Sequence, residues 1–166
     1  MALNLSKIRI LLVEDNDALS QICRHVLETL GVGRVDLAKD GEEAFEQFKT
    51  FSQDIIISDW EMQPMSGPEF LEQVRQSPDS PNRTVPFIML TGYASSKKVF
   101  HARDTGATEF IVKPFTAEQI AKRISQVINK PRSFVDSPDF KGPDRRRKHD
   151  PNYQKVERRS GQWTVI

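Results

Sequence analysis

Acidic, hydroxyl and basic side chains directly follow four apolar runs of this 166-residue chain. Glu14 and Asp15 follow the first run, Asp59 follows one that contains three isoleucines, and Thr91 and Lys113 follow two later runs. A lone aspartate in such a place is most simply a cap, because Asp readily caps helices and turns. Three converging carboxylates raise one another's pKa, and a hard cation such as Mg²⁺ relieves that repulsion. A lysine and a threonine would complete a phosphoryl-binding site.

These side chains can converge only if the apolar runs are neighbouring parallel strands. Five short apolar runs alternate with segments of helical spacing along the first 129 residues. Strict alternation of strand and helix predicts a parallel sheet with helices on both faces, joined by right-handed crossovers. Two helix starts are marked by the capping boxes Ser66/Glu69 and Thr116/Gln119. The helix of about residues 96–105 has few apolar positions and is the weakest of the predicted helices.

The strand-end residues together resemble the phosphorylation site of the receiver domain of two-component response regulators. The residues that carry this resemblance are Glu14 and Asp15, Asp59, Thr91-Gly92, Lys113-Pro114, and the loop from Asp59 through Met65 to Gly67. The resemblance covers about residues 6–129. It implies an α/β fold with a doubly wound, flavodoxin-like sheet of strand order 2-1-3-4-5. It also implies a chemotaxis-regulator-like receiver.

The resemblance implies a role for each residue of the site. Asp59 would accept a phosphoryl group from a histidine kinase or a histidine phosphotransfer protein, with self-catalysed phosphorylation and dephosphorylation. Mg²⁺ would be held by Asp15, Asp59 and the main-chain carbonyl of Glu61, with Glu14 acting mostly through water. Lys113 would neutralise charge on the phosphoryl oxygens.

Further residues match the switching and tuning positions of the family. Thr91 would turn inward on phosphorylation, and Phe110 falls on the aromatic switch position, although a partly buried strand aromatic explains it equally well. Phe lacks the hydroxyl that a tyrosine would use there. Glu61 and Tyr93 occupy positions that tune loss of the phosphoryl group, and we expect the bulky Tyr93 to slow the approach of water. Gln63 departs from the proline usual in the family.

The chain divides by charge into an acidic part and a basic part. Residues 1–129 carry 14 Lys and Arg against 18 Asp and Glu, a net charge of −4; residues 130–166 carry 10 against 5, a net charge of +5. We predict a receiver domain over 1–129 and a proline-containing basic tail over 130–166 with no independent domain. Three interpretations of the tail stay open. It could be a solvated segment, an anchor that docks on its own receiver or on a second copy, or, least favoured, a nonspecific nucleic-acid binder.

The sequence therefore predicts a stand-alone response regulator that signals by binding an unknown downstream protein, because no DNA-binding output domain is recognisable. The alternative is a phosphohydrolase with a nucleophilic aspartate, for which Glu61 supplies the expected second carboxylate only loosely. No apolar run approaches the ~20 residues of a membrane span. The start of the chain does not read as a signal peptide, and the single Cys23 fits a reducing compartment. We therefore predict a cytoplasmic protein.

Overall fold

The computed structural model describes residues 4–92, 104–145 and 164–165 of the chain. Its elements in chain order are β1 (Arg9–Val13), α1 (Asp17–Thr29), β2 (Arg34–Ala38), α2 (Gly41–Phe51), β3 (Ile55–Asp59), α3 (Gly67–Gln76), β4 (Phe87–Thr91), β5 (Glu109–Val112), α4 (Ala117–Asn129), β6 (Phe134–Ser137), β7 (Phe140–Pro143) and β8 (Thr164–Val165). The first five strands form one parallel sheet in the order β2-β1-β3-β4-β5. The predicted strand order is therefore confirmed.

The central strand β3 is buried along its whole length because helices cover both faces of the sheet. One face packs against α2 and α3, through residues that include Phe45, Phe48, Phe70 and Val74. The other face packs against α1 and α4, through residues that include Cys23, Leu27, Ile120 and Ile124. Burial on both faces explains why β3 has a continuous apolar run instead of an alternating pattern.

Capping side chains fix where the helices begin beside the sheet. The side chain of Asn16 accepts a hydrogen bond from the Leu19 amide at 3.0 Å and starts α1. Both predicted capping boxes are formed, Ser66/Glu69 at α3 and Thr116/Gln119 at α4. Each box satisfies amides of the first helical turn that would otherwise lack an acceptor. None of the described helices is long and apolar enough to cross a bilayer.

Most of the predicted helix at residues 96–105 lies outside the described residues. Asp104 and Thr105 are helical, and Gly106 follows them with a φ of 108°. A glycine accepts this left-handed backbone at little cost, so it is suited to the end of a helix.

The segment after α4 forms an antiparallel hairpin of β6 and β7, and β8 pairs with the other edge of β6. Phe134, Val135 and Phe140 are buried. Of the interpretations left open for the tail, docking on the receiver is found for residues 134–143, so a solvated segment is wrong there. The boundary of the receiver domain stays a prediction, and residues 146–163 lie outside the described part of the chain.

The hairpin contacts the receiver at the beginning of β5, the end of the strand opposite to Lys113. Arg132 donates to the main-chain carbonyl of Thr108 and to the Glu109 carboxylate, the latter at 3.0 Å. Gly106 and Gly142 let the two backbones meet, because a Cβ on Gly142 would lie 2.6 Å from the Gly106 Cα.

Arg75, on α3, is fully buried at this contact. Its Nε and Nη2 both donate to the Gly106 carbonyl at 3.1 Å, and its Nη1 donates to the Arg83 carbonyl at 2.6 Å. The ring of Phe134 lies 5.4 Å from the guanidinium carbon. Burial lowers the pKa of Arg75 to about 9. Main-chain carbonyls and an aromatic ring therefore surround this cation.

Candidate functional site

Four strands bring the predicted site residues to one edge of the sheet. Glu14 directly follows β1, Asp59 ends β3, Thr91 ends β4 and Lys113 directly follows β5. The parallel register of the strands places these positions at neighbouring strand ends. The edge is the one where ligands collect in open α/β sheets.

Three carboxylates converge at this edge. One oxygen from each of Glu14, Asp15 and Asp59 lies within 4.8 Å of the other two. Glu14 is 2% exposed and Asp59 is 7% exposed, whereas Asp15 faces solvent. Two carboxylates of the cluster are therefore buried, and the third, that of Asp15, is accessible to a ligand from solvent.

The ammonium group of Lys113 lies between the two buried carboxylates. Its Nζ is 2.8 Å from Asp59 Oδ1 and 3.2 Å from Glu14 Oε2. Burial alone would lower the pKa of Lys113, but the hydrogen bond and the charge of Asp59, together with Glu14, raise it overall. The lysine is thereby held in its charged form. Its main-chain amide donates to the Thr91 carbonyl at 2.7 Å, which ties the ends of β4 and β5 together.

The negative charge of the cluster is only partly compensated. Burial, followed by the charge of Asp59, raises the pKa of Glu14, while Lys113 and the Asn16 amide oppose this increase. The Asn16 amide donates to Glu14 Oε1 at 3.2 Å. Within the described part of the chain, one ammonium and one amide thus face three carboxylates. A cation bound at this place would remove the remaining repulsion.

The donor set fits Mg²⁺. All three side chains offer carboxylate oxygens, which are the ligands that hard cations prefer, and no thiolate or imidazole belongs to the cluster. Asp15 and Asp59 would hold the ion directly, and Glu14, which already bonds Lys113, would act mostly through water. The main-chain carbonyl of Glu61 stays a predicted ligand, and the side chain of Glu61 is exposed.

The backbone of Asp59 is held closely by the start of α3. A Cβ on Gly67 would lie 2.1 Å from the Asp59 carbonyl oxygen, so only glycine fits there. The Gly67 amide donates to the Trp60 carbonyl at 3.0 Å, and the Ser58 hydroxyl donates to the Asp59 carbonyl at 3.0 Å. This packing fixes the main chain that presents the carboxylate.

The remaining predicted residues are near the cluster or outside the described part of the chain. Thr91 is buried at the end of β4, with 1% of its surface exposed. Phe110 is half-buried on β5 and packs against the core under α2 and α3. The switching roles of both residues stay predictions. Tyr93 lies outside the described residues.

The sequence analysis assigned no functional role to two residues that support the architecture, Asn16 at this edge and Arg75 at the opposite end of the sheet. Asn16 caps α1 with its side chain and holds Glu14 with its amide. Its position immediately after Glu14 and Asp15 is the sequence feature that could have indicated these contacts. Arg75 is four residues after Leu71, on the buried face of α3. That spacing could have revealed a buried cation, but not its partners.

Comparison with known proteins gives a match over most of the chain. The family model described as the response regulator receiver domain matches residues 10–125. The chain is 29% identical over 122 residues to chemotaxis protein CheY-3 of Vibrio cholerae, which covers 74% of this chain and 92% of that protein. It is also 29% identical over 122 residues to chemotaxis protein CheY of Pseudomonas aeruginosa, covering 74% of this chain and 97% of that protein.

Solved structures agree with this match. Chemotaxis protein CheY4 of Vibrio cholerae superposes with a TM-score of 0.67 at 34% identity, over 72% of this chain and 98% of that chain. The receiver domain of a sensor histidine kinase from Pseudomonas aeruginosa, with a magnesium ion coordinated in its active site cleft, gives a TM-score of 0.67 at 27% identity. That match covers 74% of this chain and 98% of that chain. The hairpin of β6 and β7 follows the end of the family match.

Proposed function

The chain belongs to the response regulator receiver family, and on this premise we propose that Asp59 is its phosphoryl acceptor and that Mg²⁺ is its cofactor. The observation that carries the proposal is the cluster of Glu14, Asp15 and Asp59 with one lysine in contact. The carboxylates can neutralise a bound cation, and the lysine can neutralise negative charge on a phosphoryl group. The protein is a response regulator of two-component signalling.

Each residue of the site would have a separate role in phosphoryl transfer. A carboxylate oxygen of Asp59 attacks the phosphorus, a new P–O bond forms, and the bond to the imidazole nitrogen of the donor breaks, with the electron pair leaving on the imidazole. Lys113 is already charged and in contact with Asp59, so it can move onto a phosphoryl oxygen without a change of protonation. Bound Mg²⁺ would supply the remaining compensation of charge. The Thr91 hydroxyl would donate to a phosphoryl oxygen.

The donor of the phosphoryl group would be a histidine kinase or a histidine phosphotransfer protein. The product is an acyl phosphate on a signalling protein, which would act by binding a downstream protein, and its self-catalysed hydrolysis would end the signal. Within the described residues, the part that follows the family match is a hairpin packed on the receiver, which supports output by protein binding. We place this activity in the cytoplasm, in line with the single, buried cysteine.

Acetyl phosphate with Mg²⁺ tests the proposal directly. Intact-mass measurement should show one phosphoryl adduct on the full chain and none on Asp59→Asn. Asp79→Asn, an exposed aspartate in the loop after α3, is the matched control and should keep the adduct. An adduct that persists in Asp59→Asn would overturn the assignment. Rapid turnover of varied phosphate esters without an adduct would instead indicate a phosphohydrolase.

A further inference from the structure

A groove lies between α3 and the hairpin, with none of the phosphorylation-site residues in its walls. Its volume is about 350 Å³, within the range of ligand sites. Glu69, Glu72 and Gln76 form one wall from successive turns of α3, and Asp139 and Phe140 contribute to the other. The first four of these residues are exposed, so the groove is open to solvent along its length.

One wall of the groove lies outside the part of the chain that matches the receiver family. That match covers residues 10–125, whereas the wall is made by residues 138–141. The hairpin is held in place by Arg132, which bonds Glu109 of the receiver, and by the ring of Phe134, which lies 5.4 Å from the guanidinium carbon of the buried Arg75. The groove therefore has a fixed shape that a receiver domain alone would lack.

The polar lining of the groove is mainly acidic. Glu69, Glu72, Asp104 and Asp139 offer four carboxylates, against the single ammonium of Lys141. Lys141 lies 3.6 Å from the Asp136 carboxylate, which reduces its effect on the groove. Glu72 and Asp139 form no salt bridge with any described residue. The groove thus presents negative charge that the described chain does not neutralise.

One arginine already shows how the groove binds a cation. Arg145 Nη1 is 2.8 Å from Asp104 Oδ1, and its guanidinium carbon is 4.2 Å from the centre of the Phe140 ring. Asp104 and Phe140 both line the groove. A carboxylate beside an aromatic face is a favourable environment for a guanidinium. Arg145 occupies this end only and leaves Glu72 and Asp139 available.

We infer that this groove is a docking site for an arginine- or lysine-rich segment of a partner protein. The carboxylates along α3 would receive its cationic heads, while Pro68 and Pro138 would contact the aliphatic stems. An open, elongated groove suits a stretch of polypeptide better than a small enclosed molecule. This inference goes beyond phosphorylation of Asp59 and does not depend on it.

Fluorescence anisotropy on the full chain tests the inference. The probe is a fluorescein-labelled peptide of four arginines flanked by glycines, with saturating Mg²⁺ to neutralise the cluster at Asp59. The double variant Glu72→Gln/Asp139→Asn should weaken binding about fivefold, the range expected for two exposed ion pairs. The control Glu42→Gln/Glu118→Gln removes two exposed carboxylates elsewhere and should leave the affinity unchanged. Equal weakening of peptide binding by the two double variants, or no binding of the peptide to the wild type, would refute the docking site.

Two further measurements identify the occupant. If the full-length variant Arg146→Gln/Arg147→Gln/Lys148→Gln binds the peptide as the wild type does, a partner is supported. Much tighter binding of the peptide by this variant would show that the chain's own basic run competes for the groove, and would refute docking of a partner protein. Light scattering that detects a dimer abolished by Glu72→Gln/Asp139→Asn would assign the groove to a second copy instead. Adduct formation with acetyl phosphate, measured on the same variants, separates these outcomes from a failure at Asp59.

Discussion

The two ends of β5 carry buried charges that are balanced in opposite ways. At the end near Lys113, one ammonium faces the three carboxylates of the phosphorylation site. At the end that begins with Glu109, one carboxylate receives both Arg123 and Arg132 at 3.0 Å, and Arg75 is buried close by. The first end has an excess of negative charge, and the second has an excess of positive charge.

The difference lies in what satisfies each excess. At the hairpin end, the guanidinium of Arg75 donates to main-chain carbonyls and lies against the Phe134 ring. Its charge is therefore satisfied by groups within the fold. The carboxylates of the other end are only partly compensated by Lys113 and the Asn16 amide, and burial, followed by the charge of Asp59, raises the pKa of Glu14. A charge satisfied within the fold is structural, whereas a charge that awaits a ligand marks a functional site.

The largest effect is expected from Arg75→Ala, which tests whether the hairpin end is structural. The substitution removes a fully buried side chain and leaves the Gly106 and Arg83 carbonyls without their donor. We expect a loss of about 4 kcal/mol in the free energy of unfolding, measured in urea. Arg24→Ala, which breaks an exposed pair with Glu28, should cost less than about 0.5 kcal/mol. Equal losses in the two variants would remove the distinction between the two ends.

Lys113→Met tests the functional end. Among the described residues, Lys113 supplies the ammonium in contact with Asp59, so its loss should lower the rate of phosphorylation by acetyl phosphate about a hundredfold, as when one electrostatic stabiliser is removed. Lys122→Met, an exposed lysine on α4, should leave the rate unchanged. A fall of less than twofold in Lys113→Met would contradict the role given to this residue.

Arg132→Met measures how strongly the hairpin is tied to the receiver. Its loss removes one arginine from the buried Glu109 carboxylate, which Arg123 also bonds, and frees the Thr108 carbonyl. We expect unfolding to become easier by about 2 kcal/mol, below the full cost of breaking a buried pair because the arginine is partly exposed. Hydrogen exchange of the amides of β6 and β7 should accelerate more than that of β3. Uniform acceleration would instead mean that the hairpin and the sheet unfold together.

The smallest effect is a pH dependence caused by Glu14. Because its pKa in the folded state is raised above 4.5, the folded protein binds more protons, and the stability contributed by this group is present below 4.5. That contribution is lost as pH rises through the raised value, by about 1.4 kcal/mol for each pKa unit. Relative to Glu14→Gln, the metal-free wild type should therefore lose stability as pH rises. Mg²⁺ should reduce the difference, and an opposite slope would refute the assigned direction.

The sequence was sufficient to predict the sheet and the convergence of its strand-end residues, because both depend on local patterns. The isoleucines of β3 require burial on both faces, and the polar residue that ends such a run must lie at the carboxyl edge of the sheet. Both capping boxes likewise act within one helical turn. These signals span few residues and depend little on distant partners.

The hairpin could not be predicted in the same way because its causes are distant in the chain. Its two strands are only four residues each, too short for a clear alternating pattern. What holds them is the contact of Phe134 with Arg75 on α3 and the bond of Arg132 to Glu109 at the start of β5, and neither partner is visible from the composition of the tail. The sequence of residues 130–166 left a solvated segment, a docked anchor and a nucleic-acid binder open, whereas in the structure Arg132 and Arg145 use their charge to bind the receiver.

The close contact of Gly106 and Gly142 constrains how these positions can vary in evolution. A methyl group on Gly106 would lie 2.4 Å from the Lys141 carbonyl oxygen, so neither glycine can change without moving the hairpin. Mutation at either position is therefore constrained by the other, although one glycine belongs to the receiver and the other to the extension. Related receivers that carry the same extension should retain both glycines and the arginine of α3 as one inherited set. Relatives that have lost the extension also lose the contact with Lys141 and Gly142, but the φ of 108° still favours glycine at Gly106.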